Sequence, residues 1–214
     1  MKKLLTILVM LGVVTCPVFG GAITDLGLFN TGTSSNWQVG GVAATTATTI
    51  PGAWAPNTAG VSSWISTQAD ASLIPNPASS TLYNYTLQFT VPTTYTLSSI
   101  QILGRWALDD YGTASIGSTV FSDQSTLVTH YSSGAFAAQT FTINSTNGLV
   151  QGLNTLTFAV TNNRIISGVN PTGVRVEFTS ITGDLAPVEV IPEPGTLVLL
   201  GGGLLALGFF RRRR

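Results

Sequence analysis

Cysteine is nearly missing. Cys16 is the single one in 214 residues, and it lies in an apolar N-terminal stretch. The rest of the chain has no disulfide framework and no thiol nucleophile. With His130 as the one histidine, it also lacks the ligands a zinc site takes. Lysine is equally scarce. Of nine Lys and Arg, Lys2 and Lys3 open the chain and four arginines close it, leaving Arg105, Arg164 and Arg175 in between. All nine acids fall between the two ends, so the body carries three positive against nine negative charges, a net of −6. A lysine-free acidic surface gives no electrostatic footprint for nucleic acid and disfavours anionic lipid. No Gly-x-Ser-x-Gly elbow accompanies His130, which reads as a half-exposed strand residue. No glycine-rich phosphate or dinucleotide motif opens a helix. Glycoside hydrolysis needs two placed carboxylates, and most of the acids fall in turns or near the C-terminal end. These exclusions point away from an enzyme.

What is present is concentrated at the two ends. Lys2 and Lys3 precede the uncharged apolar run Leu4 to Val14, and Gly20, Gly21 and Ala22 supply small residues. This is the layout of a secretory leader over residues 1–22, passed through the Sec machinery, with a cut after Gly20 or after Ala22. Cys16 follows Thr15, larger than the residue a lipoprotein leader places there.

The other end, residues 190–214, reads VIPEPGTLVLLGGGLLALGFFRRRR. The uncharged run from Thr196 to Phe210 is 15 residues. At about 1.5 Å per residue it covers roughly 22 Å as a helix, short of the ~30 Å hydrocarbon core. Flanking residues or local thinning make up the difference. Gly201, Gly202 and Gly203 weaken the helix, which suits a temporary anchor. Arg211, Arg212, Arg213 and Arg214 stay on the cytoplasmic side and set the orientation, body outside. Pro192 and Pro194 hold the backbone extended around Glu193, just outside the bilayer. Pro-Glu-Pro, a short apolar run and a terminal arginine cluster resemble the PEP-CTERM sorting signal. The resemblance implies export, transient anchoring in the inner membrane, and cleavage near Pro192-Glu193-Pro194 by an exosortase-type enzyme, followed by a life at the cell surface or in an extracellular polysaccharide matrix.

Between the ends the pattern is that of strands. Tyr83, Tyr85, Leu87, Phe89 and Val91 alternate with Asn84, Thr86, Gln88 and Thr90, a half-buried strand over Thr81 to Val91. Further strands are expected over Ser98 to Leu108, Ala114 to Phe121, Thr126 to Tyr131, Gln139 to Ile143, Asn154 to Thr161 and Gly173 to Ile181, with a short one at Trp37 to Val42. No stretch shows a helical period. An antiparallel all-β sandwich over residues 23–183 follows, with 184–191 as a flexible linker lacking a strand partner and 192–214 as the sorting signal. The segments Gly104 to Asp110, Gly152 to Phe158 and Pro171 to Val176 resemble the jelly-roll modules of the galactose-binding-like group.

Asp109 and Asp110 are the adjacent acids of the body, set in a turn with Tyr111 and Gly112. Paired carboxylates suit a hard, oxygen-seeking cation, so Ca²⁺ is a candidate, and turn chemistry is the competing reading. Arg105 is placed to pair with an acid or to bond a sugar hydroxyl. Trp106 follows the inward alternation. Trp54 and Trp64 offer faces for sugar stacking or fill the core. The expectation is an exported surface or matrix protein with a structural or adhesive role. The alternative is a carbohydrate-binding module for extracellular polysaccharide.

Overall fold

The structure is a computed structural model that describes residues 21–126, 130–165 and 167–187, together with Gly201, Gly203, Leu204, Gly208 and Arg211. Residues 1–20 of the expected leader, the Pro192-Glu193-Pro194 motif and most of the apolar run 196–210 lie outside the described residues. Among the described residues no helix is long and apolar enough to cross a membrane.

The strands, in chain order, are β1 (Gly21–Ala22), β2 (Gln38–Val39), β3 (Val42–Ala43), β4 (Thr45–Thr46), β5 (Ile65–Ser66), β6 (Thr81–Val91), β7 (Gln101–Asp109), β8 (Tyr111–Ile116), β9 (Thr119–Gln124), β10 (Thr140–Ile143), β11 (Gly152–Asn162) and β12 (Gly173–Gly183). They form two antiparallel sheets. The first has the order β10-β7-β12-β5-β4, with β1 also on β12, and the second the order β3-β2-β6-β11-β8-β9. The expected all-β sandwich is the observed fold.

The alternation read in the sequence is the alternation of burial. In β6 Tyr85, Leu87, Phe89 and Val91 are buried, and in β11 Asn154, Leu156, Phe158, Val160 and Asn162 are buried. The apolar side chains among them meet Ile102, Trp106, Leu108, Val174 and Val176 of the opposite sheet in one core. Trp106 lies 5.1 Å from Phe158 across the layer, ring centre to ring centre. At about 25 cal/mol per Å², burying each of these large side chains contributes on the order of 2–3 kcal/mol before entropy is subtracted.

Where the sequence and the structure part, the reasons are local. The strand expected over Ala114 to Phe121 is split by Gly117, whose φ of 54° makes the tight reversal between β8 and β9. Gly112 lets β8 approach β11: a Cβ there would lie 2.0 Å from the carbonyl oxygen of Ala159. No strand forms at the end of the segment expected over Thr126 to Tyr131, where His130 and Tyr131 lie in a turn. That turn leads into the helix α1 (Ser133–Ala138), capped by the Ser132 hydroxyl accepting from the Ala135 amide at 3.2 Å. Six residues, mostly Ala and Gly, are too few to show a helical period, and only Phe136 of the helix is buried.

The expected linker also starts later than the sequence suggests. Leu185 bridges Tyr95, the Thr96 amide donates to the Asp184 carbonyl at 2.9 Å, and the Ala186 amide donates to the Thr94 carbonyl at 2.7 Å. Asp184 to Ala186 therefore dock on the turn between β6 and β7. At the same corner Gly21 pairs with Gly183 and Ala22 with Thr182. The chain enters and leaves the sandwich side by side.

Candidate functional site

The outer face of the first sheet holds Arg105, Asp109, Arg175 and Glu177. Strand alternation turns Arg105, Ala107 and Asp109 of β7 away from the main core, and the register sets them opposite Glu177, Arg175 and Gly173 of β12. This face is roofed by the segment between β4 and β6 and by α1. Ala47, Trp54, Ala55, Trp64, Ala71, Ile74, Ala107 and Phe136 form a second, smaller core there. Gly173 makes room for the roof: a Cβ on it would come within 3.0 Å of the Trp54 ring.

Glu177 is the hub of the charged layer. Its Oε1 accepts from Arg105 Nε at 3.1 Å and Nη2 at 2.6 Å, and its Oε2 accepts from the Ser62 hydroxyl at 2.8 Å. Arg175 is buried and spends its donors on Ser62 Oγ (2.9 Å), Thr58 Oγ1 (2.8 Å) and the Pro56 carbonyl. Its Nη2 stands 3.9 Å from Glu177 Oε2. Burial lowers its pKa from the usual guanidinium value, and the nearby Glu177 opposes that. Both guanidinium groups sit over the Phe136 ring, Arg105 at 4.6 Å and Arg175 at 4.2 Å, a favourable cation–π arrangement. Arg105 thus pairs with an acid, one of its two sequence readings, and its side chain remains 35% exposed. Neither Glu177 nor Phe136 stood out in the sequence. Opposition to Arg105 depends on strand register, and a contact with α1 depends on tertiary packing.

Trp54 and Trp64 are interior. Their exposures are 4% and 0%, and their rings pack on each other at 4.1 Å between centres. Trp64 Nε1 donates to the Ala55 carbonyl at 2.7 Å and Trp54 Nε1 to Asp109 Oδ2 at 2.9 Å. Neither ring keeps a free face for a sugar, and their place is in the roof. The reason is the Gly173 gap and the apolar Ala107 beneath them, neither of which a linear reading can place next to a tryptophan.

Asp109 ends β7 and is joined to Asp110 by a cis peptide. Asp109 is 6% exposed. Burial, and behind it the neighbouring Asp110 carboxyl, push its pKa up to about 8, against the pull of the Trp54 hydrogen bond. Asp110 Oδ2 accepts from the Asn163 amide at 2.7 Å, and the Asp109 carbonyl accepts from the Thr172 hydroxyl at 2.9 Å. Ca²⁺ takes six to eight oxygen ligands from ionised or carbonyl groups. Here Asp110 Oδ2 is engaged by a backbone amide, and among the described residues no cluster of three or more His, Cys, Asp or Glu surrounds the pair.

His130 is buried, not half-exposed on a strand. Its Nε2 lies 2.8 Å from the Thr126 carbonyl, which makes Nε2 the protonated nitrogen, and its Nδ1 then accepts from Gln139 Nε2 at 2.7 Å. Both ring nitrogens are committed, holding the turn before α1 against the start of β10.

The outer face of the second sheet carries a groove of about 310 Å³ lined by Ser35, Asn36, Gln38, Thr86 and Gln88. Gln38 pairs with Thr86 across β2 and β6. The groove is uncharged and presents amides and hydroxyls.

The comparisons with known proteins concern the C-terminal end. The family profile of the PEP-CTERM protein-sorting motif matches residues 190–214. That motif supports an exported protein, anchored transiently in a membrane and recognised by an exosortase-type enzyme before processing. No curated protein and no solved structure matches the chain.

Proposed function

We propose that the β-sandwich is a non-catalytic structural or adhesive component, delivered to the cell surface or the extracellular matrix by its sorting signal. One observation carries this reading: the sorting motif at 190–214 follows a self-contained sandwich whose last docked residue, Ala186, stands six residues before Pro192. At about 3.3–3.6 Å per residue, Pro192 lies no more than roughly 20 Å from the body. The Sec machinery passes the chain out, residues 196–210 hold it in the inner membrane, and Arg211 to Arg214 fix the direction. An exosortase-type enzyme then cuts near Pro192-Glu193-Pro194 and releases the sandwich. The committed hydrogen bonds of His130, Glu177 and Arg175 support a body without catalysis, since each group serves the roof or the turn beside it.

Replacing Pro192, Glu193 and Pro194 with alanine tests the sorting step. The expected result is full-length protein retained in the membrane fraction of the native host. Release at the wild-type rate refutes it. The second reading, a carbohydrate-binding module, is favoured by the uncharged groove at Gln38, Thr86 and Gln88. A glycan array probed with the chain separates the two: retention of a neutral matrix polysaccharide, lost in Gln88→Ala, favours binding, and a blank array favours the structural role.

A further inference from the structure

We propose that the end of the sandwich around the root of the sorting tail is a contact surface for the exosortase-type enzyme, with Val150, Leu153 and Leu185 as its apolar part; this rests on the sorting reading of residues 190–214. Two segments dock on the turn between β6 and β7. One is the tail root: the Ala186 amide donates to the Thr94 carbonyl at 2.7 Å, the Thr96 amide to the Asp184 carbonyl at 2.9 Å, and the Asp184 amide to Ser99 Oγ at 2.7 Å. The other is the loop before β11, where Gln151 Nε2 donates to the Val91 carbonyl at 3.1 Å and to the Pro92 carbonyl. Leu185, Val150 and Leu153 are thereby brought to one end of the body. They are 56%, 50% and 63% exposed. A hollow of about 430 Å³ opens beside Val150 and Leu153, with Ile116, Thr119 and Gly148 in its wall. Exposed apolar surface of this kind marks a place where another molecule sits.

The short spacer is what brings the enzyme here. From Ala186, the last docked residue, the chain reaches Pro192 over at most about 20 Å. An enzyme that holds Pro192-Glu193-Pro194 places at least one element around that segment, and a helix with its side chains is about 10–12 Å thick. A fully extended spacer then leaves roughly 10 Å between enzyme and body, and any less extended path leaves contact. Every strand of the sandwich precedes the tail in the chain, so a cut near Pro192 meets a body that is already across. Charge favours a protein partner over lipid. Asp184 and Asp25 lie at this end, the latter accepting from the Tyr95 hydroxyl at 3.0 Å. The arginines are elsewhere: Arg105 and Arg175 serve the roof, and the Arg164 amide donates to Ser80 Oγ at the opposite end. An anionic leaflet repels such a surface, whereas a protein face accepts exposed aliphatic side chains without needing a positive charge.

The contact also ties processing to folding. Leu185 joins Val150 and Leu153 only when the tail root and the loop before β11 are both docked on the same turn. An unfolded body offers the linear motif without this patch. The folded sandwich is therefore the faster substrate.

A pulse-chase of the full chain in its native host, following loss of the membrane-held precursor, tests this. Leu153→Asp and Leu185→Asp are combined in one variant. Both side chains are exposed, so the sandwich should fold, and the melting temperature of the released protein checks that it does. If the pair melts well below the wild type, Val150→Asp alone takes its place with the same expected outcome. The expected result is release slowed several-fold. The difference should vanish when a long flexible Gly/Ser stretch is inserted after Pro187, because the enzyme then reaches the motif without touching the body. Release of the variant at the wild-type rate, or slowing that persists with the insertion, overturns the contact and leaves the sorting reading standing. Release that no longer needs Pro192, Glu193 and Pro194 overturns both. Flotation of the released wild type, but not of the variant, with phosphatidylcholine vesicles makes lipid the partner and overturns the assignment to the enzyme.

Discussion

Replacing Asp109 with asparagine should remove most of the pH dependence of this protein's stability. The folded state raises the Asp109 pKa to about 8 because it buries the carboxyl beside Asp110. In an unfolded chain an aspartate titrates near 3.9. The folded state therefore holds a proton that the unfolded state gives up. Stability contributed by this group is complete below about pH 4 and is lost as pH rises toward 8. Each pH unit inside the window is worth up to about 1.4 kcal/mol, so moving from pH 5 to pH 7 costs about 2–3 kcal/mol. For a domain of this size that lowers Tm by roughly 5–10 °C. Asparagine keeps an oxygen for Trp54 Nε1 and an N–H toward Asp110, and it does not titrate. The variant should melt near the wild-type temperature at pH 4 and clearly above it at pH 7. The groups facing the Asp109 carboxyl are Asp110 and Trp54, while Thr172 bonds its backbone carbonyl. The other shifted aspartate, Asp123, is held below the usual range by the Ser125 hydroxyl and amide, so its contribution acts at acid pH. Thermal melts of both proteins across pH 4–8 decide the matter. A wild-type Tm that stays flat or rises between pH 5 and 7, or an Asn variant with the wild-type slope, refutes the reasoning.

Further outcomes follow from the same geometry. Glu177→Gln removes the counter-charge of Arg175, which is buried, and of Arg105; it should destabilise the fold by about 3–5 kcal/mol in denaturant titration, whereas a loss under 1 kcal/mol would mean that Ser62, Thr58 and Pro56 satisfy Arg175 without it. Gly112→Ala drives a methyl group into the Ala159 carbonyl and should cost about 3 kcal/mol or more by parting β8 from β11; a near-neutral variant would contradict the observed strand approach. Trp54→Phe removes the hydrogen bond that lowers the Asp109 pKa, so the loss of stability should extend to higher pH than in the wild type, and an unmoved upper limit would disconnect the two residues. Chelation with EDTA should leave the melting temperature unchanged; a fall that added Ca²⁺ reverses would restore the Asp109 and Asp110 pair as an ion site.

The sorting signal was legible along the chain because it is linear. Pro192-Glu193-Pro194, the apolar run and the arginines act through their order along the chain. The sequence also determined the sandwich, because a period-two pattern forces one face of Tyr85, Leu87 and Phe89 inward whichever strands pair with theirs. The roof was beyond its reach. The place of Trp54 over Gly173, the opposition of Arg105 and Glu177, and the burial of His130 depend on strand register and on segments far apart in sequence packing together. The burial of Asp109 was equally out of reach, because a dipeptide carries no record of its depth. The corner where β1 meets β12 is the clearest case. There Asp184 to Ala186 dock on the turn between β6 and β7, so the spacer toward Pro192 begins only after them.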